Sequence, residues 1–248
     1  MKIVRFSWRL VALLCLVLIG LVLLAFLFPI INQARRQKIN QCWSRCLLFL
    51  CGVQTCYYGS KIKDRPILMV LNHVSWLDIF VISAARSTVF VAKSEVRQWP
   101  VLGWLVAGVG TIFIERGQRQ AIKQVAEQMK TTFAQNQAVG LFPEGTTSDG
   151  LGVQDFHTSL FQAAISTAID IQPVALRFYD GSQRSARVAF VGQQSLLQNV
   201  WLLLSQSGTR IECDFLPVLA HIHNAEQGRV ATAQQAQQAI VDAVLKGL

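Results

Sequence analysis

The feature that most restricts how this chain can fold is an uncharged run of 22 residues, Leu10 to Ile31, built mainly of Leu and Val and interrupted only by Cys15, Gly20 and Pro29. As a helix it would measure about 33 Å, against a bilayer hydrocarbon core of roughly 30 Å. A cleaved signal peptide has a shorter apolar region and ends in a small-residue cleavage site. This run is longer, and it is followed by Pro29, Asn32, Arg35, Arg36 and Lys38, so it reads as a retained anchor. Lys2, Arg5 and Arg9 precede it, so basic residues flank both ends and give no clear orientation. Two arrangements remain open: a single spanning helix, or a helical hairpin half-embedded with both ends at the cytoplasmic leaflet, where anionic lipid attracts each basic residue by about 1 kcal/mol. A second apolar stretch, residues 47–58, is too short to span and ends in Tyr57 and Tyr58, which suits an interfacial segment.

Charge follows the same division. Residues 1–63 hold nine Lys/Arg and no Asp or Glu, so the net charge of +9 resides in the first quarter of the 248 residues and the rest is formally neutral. A nucleic-acid binder carries its basic excess on the folded domain, so nucleic acid is not an expected partner. Four of the six cysteines, Cys42, Cys46, Cys51 and Cys56, lie in this basic and apolar quarter at spacings that match no zinc pattern. They read as reduced thiols of a protein facing the cytoplasm.

From Pro66 onward short apolar runs alternate with segments of helical period. Strands are predicted at 66–71, 88–92, 111–115, 138–142, 172–179, 186–191 and 209–216, with helices near 75–85, 97–109, 118–135, 157–169 and 195–206. The clearest helix repeats Ile122, Val125, Met129 and Phe133 at three- and four-residue spacing. The alternation predicts an α/β fold: one domain around a largely parallel central sheet flanked by helices, preceded by the N-terminal membrane helix or helical hairpin. The predicted boundaries are 1–58 for the anchoring segment, 59–225 for the α/β domain and 226–248 for a peripheral C-terminal helix.

In such folds chemistry collects in loops at the carboxyl ends of strands. Phosphate-loop, dinucleotide, nucleophile-elbow and zincin motifs are all missing from the sequence, and there are four histidines, His73, His157, His221 and His223. His73 follows a predicted strand in N-H-V-S-W-L-D (72–78), where Ser75 and Asp78 form an S-x-x-D capping box. That box would start a helix at Ser75 and bring the Asp78 carboxylate toward one ring nitrogen of His73, leaving the other free to take a proton from a hydroxyl. A second loop, F-P-E-G-T-T-S-D-G (142–150), supplies Glu144 and small residues that allow close backbone approach. A strand G-T-I-F-I-E-R (110–116) delivers Arg116, a side chain suited to phosphate. Taken singly, each segment could be an ordinary cap, turn or surface ion pair. His157 reads as a helix-surface residue, and His221 and His223 lack a third metal ligand.

Together and in this order, the three segments, with I-Q-P-V-A (171–175) as a fourth, resemble the glycerolipid acyltransferases related to bacterial 1-acylglycerol-3-phosphate acyltransferase. The stretch 93–104 is similar to the family's segment between its first two blocks. The resemblance implies His73 as general base and Asp78 as the carboxylate that orients it, with direct attack of a lysophospholipid hydroxyl on the thioester of acyl-CoA or acyl-carrier protein. It implies no cofactor, metal or acyl-enzyme. It further implies that Arg116 holds the lysolipid phosphate and that Glu144, Gly145, Thr146 and Thr147 line the acceptor site. Phosphatidate-forming members often read E-G-T-R where this chain has Thr147, and E-G-T-T-S resembles members that act on other lysolipids. The implied acceptor is 1-acylglycerol-3-phosphate, with a lyso-ornithine or lysophosphatidylcholine-type lipid as the alternative, and the expected location is the bacterial inner membrane. A membrane-tethered scaffold without activity is the contrasting reading; a lipid hydrolase lacks a recognisable nucleophile.

Overall fold

The structure, a computed structural model, describes residues 1–60, 64–115 and 119–246. The predicted anchor is one long helical element: α1 (Lys2–Val22) continues through a π turn (Leu23–Leu27) and a 3-10 turn (Phe28–Ile30) that contains Pro29. Asn32 then caps α2 (Gln33–Leu50), its side chain accepting from the Arg35 amide. The remainder runs β1 (Val53–Gly59), β2 (Ile67–Leu71), α3 (Asp78–Ala85), β3 (Thr88–Lys93), α4 (Leu102–Gly108), β4 (Ile112–Ile114), α5 (Arg119–Ala134), β5 (Ala138–Leu141), α6 (Phe161–Ile165), β6 (Ile171–Asp180), β7 (Gln183–Arg184), α7 (Leu196–Ser205), β8 (Thr209–Phe215) and α8 (His221–Leu245).

The strands form one sheet in the order β1-β8-β6-β2-β5-β3-β4, with β7 folded back on β6. Pairing is parallel except at β6/β8 and β6/β7, so β8, its parallel partner β1 and the short β7 run against the other strands. β2 lies at the centre, and Ile67 to Leu71 are all fully buried, as a continuous apolar strand covered on both faces should be. Helices cover each face. Leu47, Leu48, Val81, Ile82, Leu203 and Leu204 of α2, α3 and α7 close one core. Val125, Met129 and Phe133 of α5 join Phe161 and Ile240 in the other.

The α/β architecture with its N-terminal apolar helix is as expected, and three local expectations are corrected. Residues 47–58 are not one interfacial stretch: 47–50 end α2, and Val53–Gly59 is an edge strand paired parallel with β8 in register from Val53↔Thr209 to Gly59↔Phe215. The sheet therefore begins before residue 59. Residues 186–191 form a loop, because the chain turns at β7 and then leaves the sheet. The C-terminal helix is no peripheral addition: Ala233, Ala236, Ile240 and Val244 are buried against the domain, and the left-handed φ of 77° at Gly228 kinks the helix so that its second half can pack there.

Candidate active site

The site forms where strands stop pairing. The β2/β6 ladder ends at Leu71↔Val174, and the fully buried Asn72 side chain extends it by two bonds. Its Oδ1 accepts from the Leu176 amide at 2.8 Å and its Nδ2 donates to the Leu176 carbonyl at 3.0 Å. This holds the last turn of β2 in place, so that His73 emerges at the carboxyl end of the central strand.

His73 Nδ1 lies 2.7 Å from Asp78 Oδ2. The same oxygen accepts from the amides of Val74 at 2.8 Å and Ser75 at 3.0 Å. A carboxylate only accepts, so Nδ1 carries the proton and the Nε2 lone pair is directed away from Asp78. The imidazole is 22% exposed while Asp78 is fully buried. The predicted capping box is half realised. Asp78 reaches back to Ser75 as expected, but the Ser75 hydroxyl accepts from the Leu77 amide and α3 begins at Asp78, three residues later than predicted. Asp78 Oδ1 is buried with no hydrogen-bond partner among the described residues.

The ring of His73 is held from its face as well. Phe142 stacks on it with centroids 4.0 Å apart and planes 19° from parallel, and Phe90 stacks on Phe142 at 5.6 Å and 9°. Gly140 makes room for this column, since a Cβ there would come within 2.4 Å of the Phe90 ring.

Glu144 ties the two loops together. Its Oε1 accepts from the His73 amide at 2.7 Å and its Oε2 from the Gln154 amide at 3.0 Å. Burial pushes its carboxyl above the ordinary range, opposed by these two bonds and by the nearby His73. Gly145 adopts a φ of 71°, natural for glycine, and turns the loop at once after Glu144. Thr146 is exposed. The Thr147 hydroxyl donates to the Phe190 carbonyl, and the Ser148 amide donates to the His73 carbonyl at 2.7 Å. The 186–191 loop closes the arrangement, its Phe190 amide donating to the Val74 carbonyl at 2.9 Å. An open pocket of about 440 Å³ beside it is lined by Thr147, Ser148, Asp149, Gln154 and Val191 among others.

The structure thus brings His73, Asp78, Glu144, Gly145 and Thr147 into one linked cluster. Glu115 is exposed past the end of β4, and Arg116 lies outside the described residues. His157 is an exposed loop residue rather than a helical one, its amide donating to the Pro143 carbonyl. His221 pairs with Asp170 at 3.0 Å. Sequence reasoning assigned no role to Asn72, Phe142, Phe190 or the buried Asn199, which accepts from Trp76 Nε1 at 2.8 Å. Asn72 carried a usable signal, a polar residue ending an apolar strand. Phe190 carried none, because its contribution is made through its backbone.

An Acyltransferase family model matches residues 54–177, the segment that holds the whole cluster. Lyso-ornithine lipid O-acyltransferase of Rhizobium meliloti (strain 1021) is 31% identical over 242 residues, 91% of this chain and 83% of that protein. The chain belongs to the acyltransferase family. Among other acyltransferases, 1-acyl-sn-glycerol-3-phosphate acyltransferase of Neisseria gonorrhoeae is 41% identical over 165 residues, and the match spans 64% of each protein. The crystal structure of the 1-acyl-sn-glycerophosphate acyltransferase PlsC from Thermotoga maritima superposes with a TM-score of 0.70 at 19% identity, covering 100% of this chain and 99% of the other. The acyltransferase fold therefore includes the N-terminal helices.

Proposed function

We propose that the chain is an O-acyltransferase that moves an acyl group from acyl-CoA or acyl-carrier protein to the free hydroxyl of a lysophospholipid, 1-acylglycerol-3-phosphate in the first instance, at the cytoplasmic face of a membrane. The observation that carries this reading is the 2.7 Å His73–Asp78 pair at the carboxyl end of the central strand, with the second ring nitrogen directed away from the carboxylate. Nε2 would take the hydroxyl proton as the oxygen attacks the thioester carbonyl carbon. The C–S bond then breaks, and the imidazolium returns the proton to the departing thiolate, leaving a free thiol. His73 itself supplies the general-base factor of roughly 10²–10⁴, and positioning of the two substrates supplies the rest. Glu144 holds the base loop to the acceptor loop, Gly145 to Thr147 shape the acceptor side, and Arg116 is assigned to the lipid phosphate. The long apolar helix suits residence on the bilayer where a lysolipid dissolves.

A second acceptor reading has its own support. Thr147 stands where phosphatidate-forming relatives often carry Arg, and among its described lining residues the neighbouring pocket holds the Asp149 carboxylate and no cation. That composition suits an amine-bearing headgroup such as lyso-ornithine lipid, the substrate named for the relative with the longer match.

The test is transfer from labelled acyl-CoA and acyl-carrier protein to a panel of lysolipids. Turnover should fall by about 10²–10⁴ in His73→Ala; turnover undiminished in that variant, or none with any acceptor in the wild type, would overturn the reading in favour of an inactive tethered protein. Thr147→Arg should move preference toward 1-acylglycerol-3-phosphate if the pocket sets acceptor choice.

A further inference from the structure

Between the base and its carboxylate stands Trp76, a side chain that the acyl-transfer chemistry does not use. Its indole Nε1 donates to Oδ1 of Asn199 at 2.8 Å. Asn199 is fully buried on α7, on the face that also carries Leu203 and Leu204. A primary amide buried among leucines is costly unless its two N–H groups and its carbonyl all find partners. Here they do. Nδ2 donates to Gln194 Oε1 at 2.9 Å and to the Ala189 and Val188 carbonyls at 3.2 and 3.4 Å, so two hydrogens serve three acceptors, while the carbonyl receives Trp76. Aspartate would offer no donor at this place and leucine neither donor nor acceptor.

The helix that presents Asn199 is itself fixed. Ser195 Oγ accepts from the Gln198 amide at 3.3 Å and Gln198 Oε1 from the Ser195 amide at 2.9 Å, a capping box that sets the first turn of α7. From this fixed point the amide grips both the loop before α7 and the segment that carries His73. The loop makes two further bonds at Phe190: its amide donates to the Val74 carbonyl at 2.9 Å, and its carbonyl accepts the Thr147 hydroxyl. Val74 adjoins His73. Val191, next along the chain, lines the same pocket as Thr147.

Stapling the loop to α7 needs only the bonds to Val188, Ala189 and Gln194. The bonds to Trp76, Val74 and Thr147 do something more, because they fix where the pocket wall stands relative to the imidazole. In a direct transfer the acceptor hydroxyl must meet Nε2 and the thioester carbon at once, and misplacement by about 1 Å costs on the order of 100-fold.

We propose that Asn199 is a positioning residue for the acceptor: through the Trp76 indole and the backbone of Val188 to Phe190 it holds the wall of the lysolipid pocket in register with His73. The proposal rests on the acyl-transfer reading of the site, and it puts a determinant of acceptor binding on α7, beyond the matched segment 54–177.

The experiment compares full-length wild type, Trp76→Phe, Asn199→Ala and the double variant in steady-state transfer, using the lysolipid that the wild type acylates fastest and varying each substrate in turn. Trp76→Phe removes one N–H and keeps an aromatic ring beside Phe80, whose centroid lies 5.9 Å from that of the indole. KM for the lysolipid should rise roughly tenfold in each single variant, the worth of one or two hydrogen bonds, with KM for the acyl donor unmoved. The double variant should be no worse than Asn199→Ala, because the indole bond is already lost there. Unchanged acceptor KM, an equal rise in donor KM, or multiplicative losses in the double variant would overturn the proposal; a lower melting temperature with both KM values unchanged would do so too, leaving Asn199 as a structural staple. Should Asn199→Ala not fold, Trp76→Phe and Gln194→Met decide by the same split of KM values, since each removes one partner of the amide from a side chain that is only partly buried. No transfer by the wild type to any lysolipid would overturn the acyl-transfer reading and this proposal with it, whereas transfer with unchanged acceptor KM in the variants overturns this proposal alone.

Discussion

Phe142 lies nearly flat on the imidazole of His73, 4.0 Å between centroids, and is itself backed by Phe90. Asp78 fixes one edge of the base, and this column fixes its plane. Replacing Phe142 with Leu keeps the apolar volume but frees the ring to tilt. Turnover should fall by roughly 10- to 100-fold with little change in KM for either substrate, since misplacement of about 1 Å has costs on that order. Steady-state kinetics beside a thermal melt separates this from unfolding, and Phe142→Tyr should recover much of the rate.

Asp78 makes three hydrogen bonds through one oxygen, and the other has no partner among the described residues. Asp78→Asn preserves shape while removing the carboxylate that accepts from His73 Nδ1 and fixes its tautomer. Transfer should fall by about 10²–10⁴, nearly as far as in His73→Ala, because the two act as a unit. The double variant should be no slower than either single one, and multiplicative losses would show that the pair acts as independent groups.

Asn72 is a structural test with a different readout. Substitution by Leu leaves the buried amide and carbonyl of Leu176 without their partners. At about 1–3 kcal/mol for each of the two orphaned groups, the variant should be less stable by about 2–6 kcal/mol, read as a lower denaturation midpoint in detergent.

Glu144 gives a pH-dependent prediction. Its carboxyl is raised in the folded protein by burial, so the folded state holds that proton more tightly than the unfolded chain does. The resulting stability is complete below the ordinary carboxylate range and is lost as pH rises through the raised value. Melting temperatures between pH 4 and pH 7 should decline across that window in the wild type, with this contribution flattened in Glu144→Gln.

The elements that were legible in the sequence are those whose burial pattern is simple. β2, buried on both faces, and α5, with its stripe of Val125, Met129 and Phe133, stood out because one physical rule governs every position. β1 was missed because an edge strand is half-buried at most: Val53 is buried but Gln54, Tyr57 and Tyr58 are exposed, and the tyrosines invited an interfacial reading. Val188 and Ala189 misled in the opposite sense. They are buried as a strand's residues would be, but in a loop held by the Asn199 side chain, which donates to both of their carbonyls. In the site, His73, Asp78 and Glu144 were readable because chemistry restricts their residue types. The contacts that hold them run through backbone atoms and ring faces, which sequence spacing does not record.

The edge strand β1 also bears on how such a protein can be regulated. Val53–Gly59 completes the sheet on β8, and the helices before it share a core with α3 and α7. Proteolytic shedding is therefore a poor way to obtain a diffusible form. A cut that removed the membrane-attaching helices together with β1 would strip one side of β8 along its seven residues and leave the amides and carbonyls that point to that side unpaired, an aggregation-prone edge. Attachment and foldedness are thus coupled, and the cell can lower this activity at the bilayer by degrading the whole molecule far more readily than by releasing it.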